Sequence, residues 1–182
     1  FLSTGNTFTE LTLNESKSHL VIGSNGAGKS TMLDALCFVL FNKPFRKVSK
    51  SQLINSVNEK ECVVEVEFSI GKVNYHVIRG IKPNVFKIFR NGQLLDQDAA
   101  QKDYQKYLEQ SILKFNYKSF TQVVILGSST FVPFMQLSAA HRREVIEDLL
   151  DIQIFSKMNG LLKDRVKDNK DTLTECRHEM EI

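Results

Sequence analysis

The sequence of 182 residues predicts an α/β fold. A short apolar run at residues 19–22 precedes a glycine-rich stretch, and the apolar residues 32–41 follow it, which is the order strand, turn, helix. Alternating β-rich runs between residues 62 and 95 predict an antiparallel meander. From Phe155 onwards, apolar residues recur every three or four positions, as in a helix that buries one face.

Residues 23–30 read Gly-Ser-Asn-Gly-Ala-Gly-Lys-Ser and fit a phosphate-binding pattern: a glycine, four residues, then Gly-Lys-Ser or Gly-Lys-Thr. Glycines let successive N–H groups turn inward around a phosphate chain, and the start of the next helix adds unpaired N–H groups. We expect Lys29 to reach the β and γ phosphates of ATP as the catalytic residue, and the Ser30 hydroxyl to ligate Mg²⁺. The predicted nucleotide-binding residues are Ser24, Asn25, Gly26, Ala27, Gly28, Lys29, Ser30 and Thr31. A chance match is the competing interpretation, and the flanking strand and helix argue against it.

Composition is that of an ordinary globular protein. With 42% hydrophobic and 25% charged residues the chain can build a core, and no apolar run approaches the roughly 20 residues that span a bilayer. The amino terminus lacks the regions of a signal peptide, so we expect a cytoplasmic protein. Cys37, Cys62 and Cys176 are odd in number and far apart, which predicts reduced structural thiols. The start at Phe1 and the end inside a helical pattern indicate a fragment of a longer protein.

A basic stretch follows the predicted helix. Residues 42–60 hold five basic residues against one acid, Glu59, and this excess of four is larger than the formal charge of +3 of the whole chain. An exposed lysine cluster attracts phosphates whether or not it evolved to do so, and therefore a solvated loop and a nucleic-acid contact are equally favoured. The lysines that would bind nucleic acid are Lys43, Lys47, Lys50 and Lys60.

Alternating residues predict the strands. Residues 1–6 are typical of the end of a strand, and residues 8–13 of a half-buried strand. The meander is predicted from residues 62–70, 73–79, 85–90 and 93–95, with turns at Gly71-Lys72 and Asn91-Gly92.

Two further segments follow the meander. Residues 98–115 predict a helix, whose buried side holds Tyr104, Tyr107, Leu108, Ile112 and Leu113. Residues 120–126 form a continuous apolar run, typical of a strand inside a parallel sheet. Because ligands lie beyond the carboxyl ends of such strands, we expect the polar loop 127–130 to face the nucleotide held by Lys29.

The last part of the chain is predicted to be helical. Ser138 is expected to cap a helix that runs through residues 141–150. The apolar positions after Phe155 are Met158, Leu162, Val166, Leu173, Cys176 and Met180. They predict the start of a coiled coil, with an amphipathic helix packed on the domain as the alternative, and Gly160 and Asn169 weaken the pattern locally. We therefore divide the chain into a lobe, residues 1–150, and the start of a coiled-coil arm, residues 151–182.

Several segments besides the phosphate loop resemble the SMC-like DNA repair and recombination ATPases of the SbcC type, in particular their T-even-type phage branch. They are residues 41–46, Phe-Asn-Lys-Pro-Phe-Arg, and residues 52–56, 82–86, 133–138 and 142–150. The resemblance covers nearly the whole chain. It implies an α/β P-loop half-domain of ATP-binding-cassette type, the amino-terminal lobe of a head that a long antiparallel coiled coil divides.

The same resemblance implies the partners. Two heads would enclose two ATP molecules with Mg²⁺ and would act with a metal-dependent nuclease of the SbcD type on DNA ends. The implied partners are the chain's own carboxyl-terminal lobe, a second copy, the nuclease subunit and DNA, and no membrane is among them. A phage-encoded member would work in the host cytoplasm.

The resemblance leaves one site residue open. The family places a glutamine after the second core strand to sense Mg²⁺ and the γ phosphate, and alignment puts Ser128 there. Gln122 lies six residues earlier, so the metal role is open between these two residues. The signature motif, the acidic pair and the switch histidine of the family belong to its carboxyl-terminal lobe.

Other classes of protein are alternatives. A transport-type cassette ATPase would bind a membrane partner, whereas an SMC-type chromosome-structuring ATPase would share the arm. A P-loop kinase would need acceptor-binding and lid residues within one compact domain. A purely structural coiled-coil protein would not need Lys29 and Ser30.

Overall fold

The structure is a computed structural model that describes residues 1–5, 7–95, 101–125, 132–150 and 152–180. The chain forms two compact units that divide between residues 131 and 132. The elements of the first unit are α1 (Lys29–Phe41), a 3-10 turn (Lys50–Leu53), β1 (Cys62–Ile70), β2 (Val73–Ile81), β3 (Val85–Arg90), β4 (Gln93–Leu94), α2 (Gln101–Tyr107), a π-helical segment (Leu108–Leu113) and α3 (Tyr117–Val123). Those of the second unit are a 3-10 turn (Phe134–Gln136), α4 (Ala139–Leu149) and α5 (Gln153–Met180).

The predicted antiparallel meander is confirmed. Its four strands lie in the order β1-β2-β3-β4, with Val66 opposite Val77 and Val77 opposite Ile88. Asn91 and Gly92 both have positive φ, of 49° and 80°, which is the conformation that a tight two-residue hairpin turn requires. The turn at Asn91-Gly92 therefore sets the pairing of β3 with β4.

The core lies between α1, one face of the meander and the helices that follow it. Its buried members are Val39, Leu40, Phe41, Val77, Phe86, Ile88, Tyr104, Leu108 and Ile112. The helix predicted at residues 98–115 is confirmed from Gln101, its last turns are π-helical, and residues 98–100 lie outside the described residues. The prediction that Tyr107 is buried is wrong, because this side chain is 41% exposed, and Leu113 is half-buried against the core.

The strands predicted before α1 are not present among the described residues. Residues 1–5, 8–13 and 19–22 carry no strand, and Leu20 and Ile22 are each 84% exposed. A strand needs a neighbour to pair its N–H and C=O groups, and the described sheet consists of the meander alone. Apolar alternation and β-branching therefore predicted strands that have no pairing partner among the described residues.

The strand predicted at residues 120–126 is also wrong over its described part, residues 120–125. Residues 117–123 form α3, which the Asn116 side chain caps by accepting a hydrogen bond of 2.9 Å from the Ser119 N–H. The Phe120 ring packs on Phe41 at 5.0 Å between centroids, whereas Val123 and Val124 are exposed. A side-chain cap and one-sided aromatic burial favour a helix over a strand buried on both faces. The loop predicted at 127–130 lies outside the described residues.

The second unit confirms the predicted cap. Ser138 precedes α4 and its hydroxyl accepts a hydrogen bond of 3.4 Å from the His141 N–H. Helix α5 is 28 residues long and most of its large apolar side chains are exposed. Examples are Phe155, Met158, Leu162 and Leu173. The coiled-coil arm and its boundary at residue 150 stay predictions.

Candidate functional site: a phosphate loop on helix α1

The glycine-rich residues form a turn that leads directly into α1. Gly26 and Gly28 have φ of 88° and 92°, a left-handed conformation that side chains with a Cβ rarely adopt. Gly28 is the residue before the first helical turn, and that turn carries no acidic side chain. The positive end of the helix dipole is therefore not neutralised within its own turn, which favours a bound anion.

Lys29 and Ser30 stand together at the start of this helix. The Lys29 Nζ donates hydrogen bonds to the main-chain oxygens of Gly23 at 2.7 Å and of Ser24 at 2.8 Å, so the ammonium group lies over the loop. Ser30 is exposed next to it. Thr31 is buried instead, and its hydroxyl lies 3.4 Å from that of Ser3. A cation and an exposed hydroxyl at a helix start can hold a phosphate chain and a hard divalent cation.

The most buried carboxylate of the described residues was not identified from the sequence. Asp34 is fully buried in α1, and its oxygens accept hydrogen bonds from the Arg46 main-chain N–H at 2.9 Å and from Arg46 Nε at 2.6 Å. The Arg46 Nη2 lies 2.5 Å from Asp34 Oδ2. The one signal was an acid within an otherwise apolar helix, since a buried charge requires a partner.

The basic stretch is anchored at two further points. The Tyr117 hydroxyl donates to the Pro44 main-chain oxygen at 2.8 Å, and the Lys43 Nζ lies over the Tyr117 ring, 5.7 Å from its centroid. Burial lowers the pKa of Lys50, and the positive charges of Arg79 and Lys43 lower it further. The charge of Lys50 is therefore unfavourable next to each of these two cations. Lys47 and Lys60 are exposed.

A second buried network closes the far end of α1. Arg79 in β2 donates from Nε to the Val39 main-chain oxygen at 2.8 Å and from Nη2 to Gln105 Oε1 at 2.6 Å. The Gln105 amide in turn donates to the Leu40 main-chain oxygen and to Glu109. Burial lowers the pKa of Arg79 to about 9, and the Glu109 carboxylate opposes that shift. These donors satisfy carbonyls that a helix end leaves unpaired.

The two candidates for the metal-sensing residue have different outcomes. Ser128 lies outside the described residues. Gln122 is in α3, and its side-chain oxygen is buried without a hydrogen-bond partner among the described residues. Burying an oxygen without a hydrogen bond costs free energy. Gln122 therefore carries an acceptor that no described residue satisfies.

The thiols and the acidic groups of the described residues form no metal centre. Within residues 1–5, 7–95, 101–125, 132–150 and 152–180, no three His, Cys, Asp or Glu side chains gather as a metal site. Cys37 and Cys62 are buried and reduced, and Cys176 is exposed. Among the described helices, none combines the length and the hydropathy that crossing a membrane requires.

Comparisons with known proteins place the chain in a family. Residues 1–181 match the model of the AAA domain family. The chain is 44% identical over 162 residues to exonuclease subunit 2 of Enterobacteria phage T4, a match that covers 89% of the chain and 29% of that protein. It is 42% identical over 167 residues to exonuclease subunit 2 of Escherichia phage RB69, covering 92% and 30%. A DNA double-strand break repair Rad50 ATPase of Thermoplasma acidophilum is 27% identical over 150 residues, covering 80% and 16%.

These relatives agree with the architecture. The chain spans less than a third of the length of the phage relatives that it matches. The antiparallel meander, the helices around it and the phosphate loop form an α/β P-loop ATPase half-domain. Because the family model matches nearly the entire chain, the protein belongs to the AAA domain family.

Proposed function

We propose that the chain is the amino-terminal lobe of the ATPase subunit of a nuclease complex that processes DNA double-strand ends. The observation that carries this proposal is the phosphate loop, with Lys29 over the loop and Ser30 exposed at the start of α1. The relatives support the rest, since they are named as exonuclease subunits and as a DNA double-strand break repair ATPase. The complex would work in the cytoplasm, which is the host cytoplasm if a phage encodes it.

Each residue at the helix start has a role in this proposal. Residues 24–31 enclose the phosphates of ATP with their N–H groups, and Lys29 releases the loop oxygens to contact the β and γ phosphates. The Ser30 hydroxyl is a hard oxygen donor of the kind that Mg²⁺ accepts, and the bound cation would neutralise charge on the transferred phosphoryl group. A second residue, Ser128 or Gln122, would respond to the γ phosphate.

The lobe supplies only part of an ATPase site. Phosphoryl transfer needs an oriented water and a complete metal clamp in addition to a phosphate cradle. We place the missing groups in the carboxyl-terminal lobe, with two heads closing around two ATP molecules. This closure would control DNA binding and the SbcD-type nuclease subunit.

Purified protein tests the proposal through ATP hydrolysis. The chain alone should bind ATP weakly and turn over little, and hydrolysis should appear once the carboxyl-terminal lobe completes the head. Lys29→Ala should abolish that activity, whereas Lys72→Ala, an exposed lysine in the β1–β2 turn, should leave it unchanged. Substantial turnover by the chain alone, lost in Lys29→Ala, would contradict the division of the site between two lobes.

The sensing role is tested separately. Along the sequence, residues 138–150 lie between the polar segment 127–130, which contains Ser128, and the predicted arm helix, so a response of that segment to ATP would be passed on towards the coiled coil. We propose this coupling from position along the chain. Ser128→Ala in the reconstituted complex should weaken head dimerisation and nuclease stimulation by ATP. If ATP affinity, head dimerisation and nuclease stimulation are all unchanged, Ser128 is not the sensing residue. Gln122→Ala would then test the other candidate.

A further inference from the structure

The basic loop, defined as residues 42–50, is attached to a buried acid through Arg46. Asp34 is fully buried and its two oxygens hold the main chain and the guanidinium of Arg46, while the Arg46 side chain as a whole remains 45% exposed. Two of the five N–H donors of Arg46 are used by Asp34, and the exposed part of the group offers the others. Arg46 is therefore an oriented cation at the surface.

The same loop is attached to a second element. Tyr117 of α3 binds the Pro44 carbonyl and lies under Lys43, so α1 and α3 each hold one part of the loop. A loop fixed in advance loses less conformational entropy when it binds a partner.

We infer that the basic loop is a preorganised contact for the phosphate backbone of DNA, in which Arg46 binds phosphate and Asp34 is a positioning residue. This inference rests on the proposed function and adds to it the residues that set the geometry. The planar guanidinium suits phosphate because two parallel N–H donors can face two oxygens, which an ammonium group cannot reproduce. The neighbouring Lys43, Lys47 and Lys50 add positive charge, but an ammonium group lacks the fixed fork of donors that a guanidinium offers.

Preorganisation and simple charge predict opposite signs for one substitution. Asp34→Asn removes a negative charge beneath the loop, so an interaction governed by charge alone would become stronger. If Asp34 holds Arg46 in place, the same change releases the guanidinium and DNA binding becomes weaker. Glu59→Gln is the matched control. It removes one exposed negative charge from the basic stretch at residues 42–60 without altering a partner of Arg46.

A second variant keeps the net charge constant. Arg46→Lys preserves the positive charge at a site that is 45% exposed, but a lysine cannot make the paired contact with Asp34. The dissociation constant of the ATP-bound, completed head for a blunt-ended DNA duplex of mixed sequence should rise roughly fivefold to tenfold in Arg46→Lys and in Asp34→Asn. It should fall slightly or stay constant in Glu59→Gln. ATP affinity, measured on each variant, confirms that the phosphate loop is intact.

The outcomes separate this inference from the proposed function. If Arg46→Lys leaves DNA affinity unchanged and Asp34→Asn strengthens it as Glu59→Gln does, the loop acts as diffuse charge and the inference is wrong. If Asp34→Asn does not fold, Arg46→Lys decides alone. If the unaltered head binds neither ATP nor DNA, the proposed function itself fails, whatever the variants do.

Discussion

The guanidinium of Arg79 and the main-chain oxygen of Val39 are joined by a hydrogen bond of 2.8 Å although forty residues separate them along the chain. Arg79 is 4% exposed and its guanidinium stacks on the Phe86 ring at 3.7 Å. A positive group at the carboxyl end of α1 complements the negative end of the helix dipole. The helix that begins at the phosphate loop is thereby fastened at its other end to the meander.

Removing this cap should destabilise the fold. Arg79→Met keeps an apolar side chain over Phe86 but leaves the oxygens of Val39 and Gln105 without their donor. We expect the free energy of unfolding, measured by urea denaturation, to fall by about 2–4 kcal/mol. Arg90→Met replaces an exposed arginine of the same sheet and should change it by less than about 0.5 kcal/mol. If Arg79→Met and Arg90→Met lower the free energy of unfolding equally, Arg79 does not cap α1.

Two glycines should respond to alanine in opposite directions. Gly26 has φ of 88° in the phosphate loop with nothing within 4 Å of an added Cβ, so Gly26→Ala introduces backbone strain and no clash. We expect a loss of about 1 kcal/mol of stability and a lower affinity for ATP. Gly160 lies inside α5 in equally open space, and Gly160→Ala should stabilise that helix by about 0.5–1 kcal/mol. Thermal unfolding and fluorescent ATP titration check both; a stabilising Gly26→Ala would contradict the strained loop.

The three thiols should differ in their reactivity towards an alkylating reagent. Burial, followed by the Asp34 carboxylate, raises the pKa of Cys37 to about 12 from its ordinary 9.0, and burial raises the pKa of Cys62. Iodoacetamide should therefore label exposed Cys176 first, and the other two only on unfolding. Mass spectrometry of quenched samples identifies the labelled thiol.

The raised pKa of Cys37 also makes the stability of the fold depend on pH. The folded state releases the Cys37 proton at a higher pH than the unfolded state does. The resulting contribution to the free energy of unfolding is therefore fully present below about pH 9 and is lost as the pH rises towards 12. Cys37→Ala should reduce the decline of the unfolding free energy between pH 8 and pH 10 compared with the unaltered chain. An identical decline in both proteins would exclude Cys37 as its source.

DNA binding should depend on salt through the basic loop. Changing Lys43, Lys47 and Lys50 to Glu should weaken binding about uniformly across sequences, because point charges contact phosphates and not base edges. The slope of log affinity against log salt should fall by roughly one unit per lost phosphate contact. A control that changes Lys17, Lys72 and Lys87, all exposed elsewhere, alters the net charge equally. If the slope is unchanged in the variant with Lys43, Lys47 and Lys50 changed to Glu, the basic loop does not contact DNA and is only a solvated face of the protein.

Elements defined by local chemistry could be predicted from the sequence. The phosphate loop and α1, the meander with its turn at Asn91-Gly92, and the cap at Ser138 all follow from residues within a few positions of one another. The strands predicted at 8–13, 19–22 and 120–126 failed because a strand exists only with a partner. Residues 117–123 instead follow the cap at Asn116 into helix α3.

By itself, the sequence determined where the phosphate loop and α1 lie, since Gly28, Lys29 and Ser30 need only the turn that they form themselves. Tertiary structure decided which side chains surround that loop and helix. Asp34 meets Arg46 across 12 positions and Arg79 meets Val39 across 40, and no periodicity or turn pattern connects such pairs. The physical reason is that buried charges and helix-end carbonyls must be satisfied by some partner, but which partner depends on how the folded chain brings distant segments together.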